Sequence, residues 1–80
     1  MEQGAVMSKP FYVHAEWDDE AEVWVATSEA VPGLVTEAQT TEELIGKLRQ
    51  MIPELLLANG VAYEAPVAFE LLTRRFALTD

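Results

Sequence analysis

The sequence predicts an α+β domain of order β-β-β-α-β, an antiparallel sheet with one helix packed on a face. Three observations lead there. Residues 11–17 alternate apolar and polar with period two, Thr40 opens a capped apolar stripe at helical spacing, and alternation returns between Val67 and Leu72.

The first eight residues have no periodicity and are expected to be a disordered N-terminus, so the domain is placed at residues 9–80. From Phe11 to Trp17, the apolar Phe11, Val13, Ala15 and Trp17 alternate with Tyr12, His14 and Glu16, as in a strand with one buried face. Glu22 to Ser28 is β-branched and aromatic enough for a second strand, which makes a hairpin. Its turn holds no glycine, so the register is open. A four-residue loop sets Trp17 against Glu22 and Ala15 against Trp24, whereas a five-residue loop sets Trp17 against Val23.

Val31-Pro32-Gly33-Leu34 reads as a type II turn, because proline presets φ at the second position and glycine accepts positive φ at the third. Leu34 to Ala38 follows as a short third strand. Thr40 and Glu43 have the spacing of a capping box, and Glu42 and Glu43 suit the positive end of a helix dipole. The stripe Leu44, Ile45, Leu48, Met51, Ile52, Leu55 and Leu56 covers roughly 140° of the helix surface. Pro53 falls inside it, so a kink or a restart is expected there. Asn59-Gly60 ends the helix, Tyr63 to Leu72 forms a fourth strand, and Thr73 to Asp80 extends it or frays.

Eighty residues make one domain, and one this small commonly gains stability from partner subunits, so a homo-oligomer is expected. With no cysteine, disulfides and thiolate metal sites are excluded. No run approaches a membrane span, and Met1 to Pro10 lacks the pattern of a secretory signal, which leaves the cytoplasm as the expected location. The formal charge of −9 is carried entirely by residues 1–46, where ten acids face one base, Lys9; residues 47–80 balance four acids with four bases. That asymmetry opposes direct nucleic-acid binding, which depends on Lys and Arg neutralising phosphates. A basic protein partner fits better, although an acidic surface also serves solubility alone.

Little in the chain suggests catalysis. The run Glu16 to Glu22 gathers five carboxylates, but they are contiguous, without the alternate spacing and glycine of a calcium loop. They also crowd one hairpin tip, whereas two-metal chemistry needs carboxylates converging from several elements. His14, the single histidine, lies on the polar side of its strand and has no evident second ligand. Ser8 and Ser28 have no nucleophile-elbow context. No catalytic residue, cofactor or metal is assigned. Trp17 and Trp24 flank the acidic tip; core packing is the commoner fate of such rings, but one exposed beside carboxylates would anchor an arginine-rich partner. The candidate contact residues are therefore Trp17, Asp18, Asp19, Glu20 and Glu22.

With Pro32-Gly33, Thr40 and Glu43 in place after Trp24, the chain resembles the N-terminal domain of HicB antitoxins, and more closely the short, single-domain HicB-like proteins of unknown function. The resemblance spans about residues 9–72. It implies a partial RNase H-like fold without nuclease activity, and a partner that is a small basic ribonuclease toxin of HicA-like type. Leu34 stands where the family often has Cys, and Ala38 where it often has Gly, a replacement that would strain any positive-φ turn before the helix. Eight residues follow Leu72, too few for the DNA-binding module many HicB proteins carry, so no DNA-binding domain is expected. The expectation is a non-catalytic antitoxin-type binding domain. The alternatives are a stand-alone oligomeric small-ligand or metal-binding module, and a vestigial RNase H-like enzyme that would lose activity when Asp18 or Asp19 becomes Asn.

Overall fold

β-branched and aromatic residues at alternate positions bring the chain into strands β1 (Phe11–Asp18), β2 (Val23–Thr27) and β3 (Val35–Ala38). Helix α1 (Thr41–Ala58) and strand β4 (Phe69–Arg74) complete the fold. These elements come from a computed structural model that describes residues 9–80; the expectation for residues 1–8 lies outside them. The sheet order is β3-β2-β1-β4. β1 with β2 and β2 with β3 pair antiparallel, as the two short connections require. β4 pairs parallel to β1, so the sheet is mixed, not wholly antiparallel. The direction follows from connectivity. After the meander β3 runs the same way as β1, α1 carries the chain back, and β4 must then leave in the direction of β1.

The hairpin adopts neither register expected from loop length. Asp18 stays in the ladder opposite Val23, the loop is Asp19 to Glu22, and Trp17 pairs with Trp24. This register also places Ala15 opposite Ala26, so the two small residues and both rings share the helix-facing side. Val13, Ala15 and Ala26 are at most 1% exposed, and they form the floor of the core.

α1 buries Leu44, Leu48, Ile52 and Leu56 on that floor, each four residues from the last. Ile45, Met51 and Leu55 are half-buried on its flanks. The Thr40 hydroxyl accepts from the Glu43 N–H at 3.1 Å and starts the helix. At the other end, Gly60 takes φ +69 while its N–H reaches the Leu57 carbonyl and the Val61 N–H reaches that of Leu56. That pair of bonds is a Schellman closure. The helix does not restart at Pro53: one helix runs unbroken from Thr41 to Ala58. Buried Ile52 and Leu56 on either side hold both halves against the sheet, which offsets the missing N–H.

The Val31–Leu34 turn forms as its residues dictate, with Gly33 at φ +79 and the Leu34 N–H donating to the Val31 carbonyl at 3.2 Å. Val31 and Leu34, 0% and 2% exposed, are both core residues. Ala38, expected to be strained if its φ were positive, lies in β3 opposite Trp24 without a positive φ. The fourth strand starts at Phe69, later than Tyr63, and runs through Arg74. Proline at position 66 interrupts pairing upstream of it, and the first tie back to the sheet is the Phe11 N–H to the Ala68 carbonyl at 2.9 Å.

Candidate functional site

Four of the five candidate contact residues, Asp18, Asp19, Glu20 and Glu22, are exposed around the β1–β2 loop. Asp18 has a structural task as well. Its Oδ1 accepts from the N–H groups of Glu20 and Ala21 at 3.0 and 3.1 Å, while its carbonyl accepts from the Glu22 N–H at 2.7 Å. Glu22 closes the loop at φ +58, the conformation a glycine would take more cheaply. Asp19 and Glu20 are thus presented at the tip by a loop folded around Asp18.

Trp17, the fifth, is half-buried, and so is Trp24. The rings meet edge to face with centroids 5.4 Å apart, and of the two Trp24 is packed on the core. The other surface of Trp17 is occupied as well. The Arg75 guanidinium carbon stands 4.4 Å from its ring centroid, a cation–π contact supplied by the chain itself. Register explains the arrival of that side chain. Glu16 is opposite Arg74 in the parallel ladder, so the next residue after β4 comes level with Trp17. The two arginines that sequence separates from the acidic half are therefore folded against it, and the charge asymmetry is smaller in space than along the chain.

His14 is exposed on the sheet face away from the helix, opposite Thr27 on one side and Leu72 on the other. Among the described residues, no three His, Asp or Glu side chains are grouped to hold a metal ion. Ser28 is a structural hinge: its hydroxyl donates to the Tyr12 carbonyl at 2.6 Å and accepts from the N–H groups of Ala30 and Val31. No helix of the described residues is long and apolar enough to cross a membrane.

One concave feature lies away from the hairpin. A cleft of about 420 Å³ opens between the second half of α1 and the segment leading into β4, with Ile52, Pro53, Val67 and Phe69 among its walls and Arg49 and Tyr63 as its polar members. No motif in the sequence marked it, because its walls come from a helix flank and from residues expected to be in a strand.

The model of a family described only as a domain of unknown function, DUF1902, matches residues 10–79. The chain belongs to the DUF1902 family. A crystal structure of hypothetical protein TTHA1013, from the extremely thermophilic bacterium Thermus thermophilus, is 54% identical to it, with a TM-score of 0.78. That similarity covers 88% of this chain and 99% of the other. No curated protein matches this DUF1902 chain.

Proposed function

We propose that this DUF1902 chain is a non-catalytic protein-binding domain of the cytoplasm, whose acidic hairpin docks a small basic protein. Its resemblance to HicB antitoxins makes a HicA-like ribonuclease toxin the partner of choice. The observation that carries the reading is the state of Trp17. Its ring already takes a guanidinium face-on, between exposed carboxylates at the loop and a half-buried indole behind it. The intramolecular contact exemplifies the chemistry that an arginine of a partner would use. Asp19, Glu20 and Glu22 would steer such a partner, and Trp17 would anchor it once Arg75 swings aside.

The test is co-expression with the product of a small, basic open reading frame adjacent to the gene. A complex that relieves growth arrest is expected, and Asp19→Lys with Glu20→Lys should slow its association at low salt. Absence of both complex and relief would sink the reading. The 420 Å³ cleft favours a second one, a small apolar ligand held near Arg49, since its size is in the usual range for small-molecule sites. A ligand that raises the melting temperature of the wild type but not of a Phe69→Ala variant would support it.

A further inference from the structure

The order β3-β2-β1-β4 leaves two strand edges, and they are treated differently. β3 has four residues, and Lys47 of α1 lays its ammonium on the Glu37 carbonyl. β4 has six, with neither proline nor glycine. Protein sheets normally blunt an edge of that kind, because its free N–H and C=O groups recruit further strands.

Which backbone groups point away from the sheet, among the described residues, follows from the ladder. The Phe11 N–H bonds to the Ala68 carbonyl while Phe11 is aligned with Phe69, so the even-numbered residues of β4 point their backbone groups at β1. Phe69, Leu71 and Thr73 therefore direct theirs outward. Exposed apolar side chains gather along and beyond this strand: Leu72 is 40% exposed, and Phe76 and Leu78 are 81% and 80% exposed.

We propose that β4 pairs antiparallel with β4 of a second copy of this chain, about a two-fold axis at Leu72. A two-fold pairing of identical strands sets one residue opposite itself, and the middle of β4 offers Leu71, Leu72 or Thr73. Centring on Leu71 sets Glu70 against Leu72, and centring on Thr73 sets Arg74 against Leu72; both put a charge against an apolar side chain. Centring on Leu72 sets Glu70 opposite Arg74 twice, Leu72 against itself, and the outward groups of Leu71 against those of Thr73; just past the strand end Phe69 meets Arg75, whose guanidinium is already turned onto Trp17 of its own chain. The edge belongs to residues 47–80, the half of the chain with no net charge, so the acidic hairpins do not have to approach each other. This inference stands independently of the docking function.

The absence of cysteine makes the register readable. In the proposed pairing Leu72 is a non-hydrogen-bonded pair with its symmetry mate, with Cα atoms ~4.5 Å apart, inside the range a disulfide spans. The wild type should sediment at twice its 8.9 kDa chain mass. Under mild oxidation, Leu72→Cys should become a covalent dimer at least about tenfold faster than Thr73→Cys, whose mate lies two positions away from direct opposition. Glu70→Arg, at an exposed position, should weaken the wild-type dimer by about tenfold or more by setting like charges together. A wild type that sediments as a monomer overturns the proposal. So does a dimer in which Thr73→Cys links as fast as Leu72→Cys, or one that Glu70→Arg leaves intact.

Discussion

Two turns bracket β2, and they are built on opposite principles. The Val31–Leu34 turn uses proline and glycine where the backbone asks for them, and both of its ends are buried in the core. The Asp19–Glu22 loop has no glycine, holds a glutamate at φ +58, and gathers exposed carboxylates. The first is optimised for stability. The second holds a left-handed glutamate where glycine would be cheaper, among exposed like charges.

The Val31–Leu34 turn depends most on Gly33. An alanine there would have room, since the nearest side-chain atom to its Cβ would be Leu55 Cδ2 at 3.7 Å, but it would have to adopt φ +79. Gly33→Ala should therefore cost about 1 kcal/mol net, left-handed strain of about 1–2 kcal/mol less the stiffening of the unfolded chain, as measured by urea unfolding. In a domain of this size that is a large fraction of the total. A change of no more than about 0.5 kcal/mol would mean that the turn relaxes to another type.

The hairpin loop depends in the same way on Asp18. Asp18→Ala removes the acceptor for two backbone N–H groups and should cost about 1 kcal/mol, whereas Asp18→Asn keeps a carbonyl oxygen there and should cost less than half as much. Both variants remove the same charge. If binding of a basic partner depends on the loop's shape, alanine should abolish it and asparagine should only slow it, which association kinetics at two salt concentrations would separate.

Physical range explains what was legible in the sequence and what was not. Turn, cap and stripe are local: Pro32-Gly33, Thr40 and the apolar series from Leu44 to Leu56 each act within a few residues, and they form, although of the capping box only the half in which Thr40 accepts from the Glu43 N–H is made. The hairpin register was missed because Asp18 reads as a loop residue by type, although its carboxylate folds the loop while its backbone stays in the strand. The parallel seating of β4 and the arrival of Arg75 over Trp17 are tertiary events, set by the return path of α1, and no spacing in the sequence encodes them. Of the hairpin tip, the exposure of Asp18, Asp19, Glu20 and Glu22 was legible, and the half-burial of Trp17 beneath Arg75 was not.

The smallest expected effect is the one that most directly asks whether the hairpin loop is strained for a purpose. Glu22→Gly relieves a left-handed residue, worth about 1–2 kcal/mol, and loosens the unfolded chain, worth about 0.4–1 kcal/mol in the opposite direction. The net should be a gain of roughly 0.5–1 kcal/mol in urea unfolding. Glu22→Gln removes the charge but leaves φ unchanged, so the difference between the two variants isolates the backbone contribution. If Glu22 serves only the fold, Glu22→Gly is simply a better loop, and binding of a basic partner is unaffected. If Glu22 contributes to docking, Glu22→Gly should gain stability and lose affinity together, and Glu22→Gln should lose affinity with little gain in stability. That pairing of effects is the mark of a residue kept for a function that the fold alone would have replaced.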